Sequence, residues 1–349
     1  MATAIAARLR SQLLAGAPAG SAEEVVGHLL AVQAQDGRGA RLAIRSRSSG
    51  LTAADVDRAL SEDRSLVVTW LNRGTLHLVR SEDYWWLHRL TAARSTMGSE
   101  RRLRQEGVDA RQAVRGVELI TKAVTEEGPL TREQLRQRLE SSGVPTAGQA
   151  LVHLLGLASS QGAVLRGPMV GTEHAFVAVD RWLGPPPPAV DRKEALGTLA
   201  RRYLVGHAPG KAEDLAKWAG ITLGDARDGF AGIADEYMSV DDGLVAPDAL
   251  GETDLPPPRL LGPFDPLLHG WVSREPFVGR HNSVVTTNGI FRPVALVDGR
   301  VVGTWALPGG RPTVVPLERL SARVRRALSE DGEDVLRFLG LPDRPLHFE

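Results

Sequence analysis

The sequence contains no cysteine, and this absence excludes several kinds of chemistry. Without thiols the chain has no disulfide framework, no cysteine nucleophile and no cysteine-bound metal. Its nine histidines include no pair spaced His-x-x-x-His, which is the commonest helical zinc pattern. A metal site would have to be assembled from residues distant in the sequence, so we expect neither a metal nor another cofactor.

Long apolar runs are also missing, and none approaches the length of a membrane span. The N-terminus carries no positive charge ahead of its short apolar stretch, so it does not resemble a secretory signal. With 42% hydrophobic and 24% charged residues, the composition is that of a folded protein. We therefore expect a cytoplasmic protein without membrane contact, in which 349 residues form about two to four domains.

Lysine is nearly absent, since arginine supplies 38 of the 42 basic residues. The lysines are Lys122, Lys193, Lys211 and Lys217. The planar guanidinium group of arginine suits contacts with phosphate and with the DNA minor groove, but GC-rich coding produces the same bias. The net charge is zero, which argues against a protein that coats nucleic acid along its whole surface.

Two proline blocks, residues 185–188 and 256–258, divide the chain and indicate stiff linkers. Before the first block, three helical patterns precede two strand-like runs, which is the element order of a winged helix. These segments are a helix around 117–124, a helix after the capping pair Thr131 and Gln134, a helix from near Thr146, and strands at 163–166 and 175–179.

The same order recurs on both sides of this unit. After the first proline block, the pattern predicts helices at 195–205, 211–219 and 222–233 and strands at 237–240 and 243–245. The N-terminal copy has helices at 5–14, 22–32 and 53–60 and strands at 66–70 and 76–79. The region after 258 has strands at 284–286, 293–297 and 300–305, a type I′ turn at Asp298-Gly299 and a closing helix at 317–339.

The predicted fold class is therefore α+β, with three tandem winged-helix units and a β-rich C-terminal domain. The predicted boundaries are 1–110, 111–184 and 189–254 for the three units and 259–349 for the last domain. Three related units joined by linkers suggest one long concave surface.

A pair of amides, Gln33 and Gln35, follows the apolar run 29–32 where the helical pattern ends. Residues two apart project about 200° from one another on an α-helix but share a side in an extended or turn segment. The two amides can therefore act together only if the helix has ended before them, as the turn-forming residues 36–39 suggest. The alternative is two solvated glutamines at a helix end.

Four segments that span almost the whole chain resemble the AlkZ family of bacterial winged-helix DNA glycosylases. This family includes YcaQ-like enzymes and the self-resistance enzymes of organisms that produce DNA-alkylating antibiotics. The segments are the Gln-Ala-Gln motif at 32–36, Thr69 to His77 with its Arg-Gly-Thr-x-His pattern, Leu261 to Leu268, and 288–305. The resemblance implies winged helices bent around a concave, DNA-sized channel. YcaQ-like enzymes have an aspartate where Gln35 stands, so this chain resembles the two-glutamine branch.

The resemblance also implies a bacterial, nucleoid-associated protein. It further implies that Gln33 and Gln35 are catalytic and that the partner is double-stranded DNA carrying alkylated purines. A glutamine amide cannot take up a proton as an aspartate does, but it can orient water and present oxygen dipoles to an oxocarbenium-like sugar. Such a site suits N7- or N3-alkylated purines, whose positive charge already weakens the glycosidic bond. We expect a monomeric, monofunctional glycosylase for N7-alkylguanine or N3-alkyladenine, bulky antibiotic adducts or interstrand crosslinks, acting in base excision repair or self-resistance.

Most of the residues expected to assist catalysis or to contact DNA also have an alternative, purely structural role. Asp36 is a catalytic base or only a helix cap, and His77 faces the lesion or is a buried histidine. DNA contact is expected of Arg73, Thr75, Arg280, His281 and Asn282. For Arg73 the alternative is an ion pair with a carboxylate, and for Arg280 and His281 it is a plain surface loop. Core packing is the default for Trp70, Trp85, Trp86 and Trp305, with base stacking as the alternative.

Two other functions stay open. A non-enzymatic winged-helix regulator would use a recognition helix with several base-reaching side chains. The third helix of the second unit offers only Thr146, Gln149 and His153 for that purpose. A hydrolase of a small-molecule glycoside would suit the zero net charge, but the repeated winged helices oppose it.

Overall fold

The computed structural model describes residues 2–171, 173–247 and 254–349, which form a mixed α/β structure. Its α-helices are α1 (Ala2–Ser11), α2 (Ala22–Leu29), α3 (Gly37–Arg45), α4 (Ala53–Ser61), α5 (Tyr84–Gln105), α6 (Ala110–Glu127), α7 (Arg132–Ser141), α8 (Ala150–Ser160), α9 (Val179–Leu183), α10 (Arg192–His207), α11 (Ala212–Ala219), α12 (Leu223–Ala231), α13 (Glu275–Val278) and α14 (Ala322–Leu339). Its β-strands are β1 (Val32–Gln33), β2 (Leu66–Leu71), β3 (Thr75–Arg80), β4 (Val164–Val170), β5 (Glu173–Ala178), β6 (Met238–Val240), β7 (Gly243–Val245), β8 (Arg259–Leu261), β9 (Val294–Val297), β10 (Arg300–Ala306), β11 (Thr313–Pro316) and β12 (His347–Phe348). No helix in these ranges is long and apolar enough to cross a membrane.

The chain divides into two compact units. One comprises Met1–Val56, Leu196–Trp218 and Thr222–Glu349, and we call it the glutamine unit because it contains Gln33 and Gln35. The other comprises Asp57–Ala195 with Ala219–Ile221, and we call it the hairpin unit after its β2–β3 hairpin. The division into four domains made from the sequence stays a prediction.

The hairpin unit contains four antiparallel strands in the order β3-β2-β4-β5. Helices α6, α7 and α8 precede the β4–β5 hairpin, which is the element order expected from the sequence. The capping box of Thr131 and Gln134 at the start of α7 is confirmed. Helix α8 begins at Ala150 rather than near Thr146, which lies in the preceding loop and donates its hydroxyl to the Glu140 carboxylate.

The 22-residue helix α5 was not predicted, and it covers α8. The Thr96 hydroxyl donates to the Ser160 hydroxyl across this contact, and His88 Nε2 lies 3.1 Å from the Ser159 carbonyl oxygen. Nine of the 11 residues of α8 are buried. The third helix of this predicted winged helix is therefore a core element.

The glutamine unit repeats the order of three helices and a hairpin in α10, α11, α12 and β6–β7. Its C-terminal strands form a sheet in the order β12-β11-β10-β9-β8, in which only β11 and β12 run parallel. One apolar core joins the N-terminal helix to this sheet, since Leu9 and Leu14 pack in the same cluster as Leu261 and Val294.

The predicted strand at 284–286 is wrong. Asn282–Val284 form a 3₁₀ turn, and Val285 then makes a single bridge to Phe291. Valine and threonine favour strands only where a neighbouring strand gives them a surface to pack on. The Asp298-Gly299 turn is confirmed, because both residues have positive φ, 49° and 76°, as a type I′ turn requires.

Two buried arginines hold α3 and the residues that follow it. Arg47 and Asp265 have fully buried side chains and form two hydrogen bonds of 2.9 and 2.7 Å. The Arg45 guanidinium, also buried, donates to Asp331 and Asp334 of α14. Because both arginines bond to residues beyond 260, α3 is fixed on the C-terminal part of its own unit.

Replacing Asp265 by alanine should destabilise the protein by about 3–5 kcal/mol, because the Arg47 charge would remain buried without its carboxylate. Urea denaturation measures this change in the free energy of unfolding. Arg326→Ala is the control, since Arg326 pairs with Glu330 at the exposed surface and its loss should have no measurable effect. A loss below about 1 kcal/mol for Asp265→Ala would contradict the inference that the buried pair of Arg47 and Asp265 holds the fold together.

Candidate functional site

Gln33 and Gln35 lie on a short non-helical segment between two helices, with Gln33 at the end of a two-residue strand and Gln35 in the bend that follows it. Helix α2 ends at Leu29, and Leu30 follows with a positive φ of 65°. The backbone is then a strand at Val32–Gln33, and α3 begins at Gly37. The helix has therefore ended before the two glutamines, as their joint action requires, although it ends three residues earlier than predicted.

The two amides differ in exposure. The Gln33 side chain is buried at 8% exposure, whereas Gln35 is exposed. A buried amide is held in one orientation by its surroundings, while an exposed amide can meet a ligand or a water molecule from solvent. The segment thus combines a buried amide and an exposed one, two residues apart.

Asp36 caps the helix that follows. Its backbone is extended, and its carboxylate accepts the N–H of Gly39 at 2.6 Å, so it is the N-cap of α3. Of the two roles considered for Asp36, the structure shows the cap, and the part in catalysis stays a prediction. Capping also ties the position of Gln35 to the first turn of α3.

Two glycines let α3 approach the segment Gly262 to Asp265. A Cβ added to Gly39 would lie 2.4 Å from the Pro263 carbonyl oxygen, and one added to Gly262 would lie 2.8 Å from Leu42 Cβ. Side chains at either position would push the two segments apart. Gly39 lies in the first turn of α3 and not in the predicted turn at 36–39. Its contact with Pro263, which the sequence did not predict, brings 262–265 to the first helical turn after Gln35.

The Arg-Gly-Thr-x-His segment forms the tight end of the β2–β3 hairpin in the hairpin unit. Arg73 and Gly74 both have positive φ, 59° and 70°, and the Thr75 hydroxyl donates to the Asn72 carbonyl at 3.1 Å. Arg73 is exposed, although its surroundings lower the pKa of its guanidinium by desolvation. Its contact with DNA, like that of Thr75, stays a prediction.

His77 lies inside the hairpin unit and is 2% exposed. Its Nδ1 lies 3.0 Å from the Thr75 carbonyl oxygen. Burial, followed by the nearby charge of Arg73, lowers the pKa of His77 to about 3. The imidazole is therefore neutral near pH 7 and buried. A contact of His77 with the lesion stays a prediction.

The residues 280–282 form a loop after α13 in the glutamine unit. Arg280 and Asn282 are exposed, and Nε2 of His281 lies 3.6 Å from the Glu318 carboxylate. Arg280 forms no ion pair with another described residue. Its accessibility fits phosphate contact as well as a plain loop, and the DNA-binding assignment of all three residues stays a prediction.

The tryptophans serve mainly as packing residues. Trp70 is 9% exposed and stacks with Phe176, with ring centroids 6.5 Å apart. Trp305 is 4% exposed and donates its indole N–H to the Leu261 carbonyl at 2.8 Å. Trp85 and Trp86 are half-buried at the start of α5. Burial of Trp70 and Trp305 leaves core packing as their observed role.

The residues considered for a regulator's recognition helix do not form a reading surface. Thr146 is buried at 3% exposure, and the backbone N–H of Gln149 donates to the Glu106 carboxylate. His153 is half-buried on a helix whose other residues are mostly core. Within the described ranges, no group of three or more histidine, aspartate and glutamate side chains could hold a metal ion.

A family model, a known protein and a solved structure each match most or all of this chain. A family model described as DNA glycosylase AlkZ-like matches residues 26–338. An interstrand DNA cross-link repair glycosylase from Streptomyces sahachiroi is 27% identical over 363 aligned positions, which cover 97% of this chain and 96% of that protein. The solved structure of the Streptomyces sahachiroi DNA glycosylase AlkZ matches with a TM-score of 0.81 and 27% identity, covering 100% of this chain and 99% of the other.

The low pKa of His77 predicts loss of stability in acid. Below pH 6.5 the unfolded chain takes a proton on this histidine that the folded chain does not, so the free energy of unfolding falls as pH falls towards 4. His77→Gln should make this fall shallower by up to about 1.4 kcal/mol per pH unit. Denaturation at several pH values tests this, with His347→Gln as the exposed control. Equal slopes for His77→Gln and the unaltered protein would mean that His77 titrates normally in the folded chain.

Proposed function

Since this chain belongs to the AlkZ-like DNA glycosylase family, we propose that it hydrolyses the N-glycosidic bond of alkylated purines in double-stranded DNA. The observation that carries the proposal is the placement of Gln33 and Gln35 outside both helices, on the strand and bend between α2 and α3. Outside a helix, in an extended or turn segment, residues two apart can act on one reacting centre. The capped and doubly anchored α3 supports that segment from its C-terminal side.

The chemistry suited to two neutral amides is hydrolysis with a good leaving group. Bond cleavage between the sugar C1′ and the base nitrogen returns the bonding electrons to the base, which neutralises the positive charge of an N7- or N3-alkylpurine. The base therefore leaves without protonation by the enzyme. The amide oxygens orient the attacking water and stabilise the positive charge that develops on the sugar. Water supplies the new C1′–O bond and releases one proton to the solvent.

The name of the Streptomyces sahachiroi relative, an interstrand cross-link repair glycosylase, suggests the size of lesion that such a site accepts. We extend the proposal to bulky N7- or N3-purine adducts and crosslinks, in base excision repair or in self-resistance to an alkylating product. Bulky adducts cannot be swung into a tight pocket as a small base can. In this proposal the chain acts as a monomer, with DNA contacts from Arg73, Thr75, Arg280, His281 and Asn282.

Changing either Gln33 or Gln35 to alanine should slow base excision by about ten- to a thousandfold, the range for a lost electrostatic or positioning group. Folding and DNA binding should stay largely intact, since neither change removes a charge. Single-turnover release of N7-methylguanine from a duplex measures the effect. Gln137→Ala, which alters an exposed glutamine of α7, is the matched control and should keep the full rate. Unchanged rates in both Gln33 and Gln35 variants would remove the assignment.

The expected product is an intact abasic strand that breaks only after alkali or heat. The proposed site has two amides and no lysine in its segment, so no imine should form between enzyme and sugar. Borohydride should therefore not trap the protein on DNA, and a chelator should not slow base release. A trapped adduct would direct attention to Lys122, Lys193, Lys211, Lys217 or the N-terminal amine, and inhibition by chelator would indicate a metal.

A further inference from the structure

Phe264 has a backbone conformation that bulky residues rarely adopt. Its φ is 57°, in the left-handed region that favours glycine, and the side chain is half-buried. Such a conformation is strained for a phenylalanine and persists only where the surroundings enforce it. A glycine at this position would remove the strain, so the presence of an aromatic ring here calls for a reason beyond the turn itself.

The neighbours of Phe264 hold it against the glutamine-bearing part of its unit. The next residue, Asp265, is fixed by the buried bond to Arg47. The preceding residue, Pro263, lies against Gly39 in the first turn of α3. Because Asp36 caps that same turn, the backbone of Phe264 is held beside the helix that supports Gln35.

The ring of Phe264 belongs to a small aromatic cluster. It stacks with His269 at 6.1 Å between centroids and 14° between planes, and it lies 5.9 Å from Phe291. The guanidinium of Arg274 lies 5.0 Å over the Phe291 ring, so the cluster already attracts one cation. Phe264 is the more exposed of the two phenylalanines, since Phe291 is 8% exposed. Phe264 packs on the apolar core of its unit with part of its surface, and the remaining part is exposed.

We propose that Phe264 is a specificity-determining residue whose ring binds the face of the positively charged alkylated base. This inference rests on the proposed function and adds to it a means of telling a cationic lesion from a neutral base. An aromatic face attracts a cation through its quadrupole and also stacks on any planar base. The neutral purines of undamaged DNA gain only the stacking part.

The contact should act on binding more than on the chemical step. Positive charge lies on the base in the bound lesion and moves to the sugar as the glycosidic bond breaks. The attraction of Phe264 for the base therefore weakens as the transition state is reached. An interaction that is strongest in the ground state changes affinity and does not raise the rate constant at saturation.

Binding is tested with Phe264→Leu in a Gln33→Ala, Gln35→Ala background, so that the lesion is not released during the measurement. The probes are duplexes with one N7-methylguanine or its neutral isostere, 7-deaza-7-methylguanine. Affinity for the cationic duplex should fall about three- to thirtyfold, the range of one cation–π contact, and affinity for the neutral duplex by less than about twofold. Phe264→Tyr should restore the preference because it keeps the ring.

Phe277→Leu is the matched control for loss of packing. Phe277 lies in the same apolar cluster at 1% exposure, so its replacement should lower stability and leave the preference between the two duplexes unchanged. Equal weakening of both duplexes by Phe264→Leu, or weakening of neither, would overturn the proposal. So would an equal shift of preference in Phe277→Leu, since packing alone would then explain it.

Single-turnover kinetics of Phe264→Leu, with both glutamines present, give the second readout. The half-saturating enzyme concentration should rise by the same factor as the dissociation constant, and the rate constant at saturation should rise by at most that factor and not fall. A fall in that rate constant without a change in half-saturation would contradict action on the ground state. Failure of the proposed function would be seen separately, as no release of N7-methylguanine by the unaltered protein.

Discussion

The buried ion pair between Arg47 and Asp265 joins parts of the glutamine unit that are 218 residues apart in the sequence. Two charges removed from water are costly unless their remaining donors and acceptors also find partners. Arg47 meets this condition, because its guanidinium also donates to Gln12 and to the Ala43 carbonyl. Asp265 in turn accepts the backbone N–H of Leu267 at 3.0 Å. The pair thereby sets where α3 lies, and α3 carries the cap that positions the end of the glutamine segment.

For catalysis, a fixed side-chain position matters more for an amide than for a carboxylate. A carboxylate base contributes through proton transfer, whereas a neutral amide contributes only through the direction of its dipole and hydrogen bonds. Such dipoles stabilise developing charge well only when they need not reorient during the reaction. Several contacts restrict movement of the residues next to Gln33 and Gln35. They are the close approach of Gly39 to Pro263, the Asp36 cap and the ion pairs of the two buried arginines. These contacts therefore provide the restricted backbone that the proposed amide chemistry requires.

Local signals in the sequence predicted local structure well. The Thr131–Gln134 capping box and the Asp298-Gly299 turn are confirmed because their geometry depends on a few adjacent residues. The partnership of Arg47 with Asp265 could not be predicted, since either residue could equally have remained in solvent. The role of Gly39 could not be predicted for the same reason: it lies in the first turn of α3, where Pro263, distant in the sequence, leaves no room for a side chain. The non-helical backbone at Gln33 and Gln35 could be predicted because two side chains at this spacing share a side only outside a helix.

Two parts of this chain consist of three helices followed by a β-hairpin, and their third helices are α8 and α12. Neither helix offers a surface that could read the DNA major groove. Helix α8 is covered by α5, and its residues are mostly core. The exposed positions of α12 include Asp228 and Arg227, and the arginine is paired with Glu213, which leaves a surface with little attraction for phosphate. A regulator needs such a helix free and positively charged. If this chain binds DNA as proposed, loops and turns are the better source of contacts, and Arg73, Arg280 and the strained turn at Phe264 are accessible examples. That arrangement suits a protein that detects altered chemistry on a base better than one that reads a sequence.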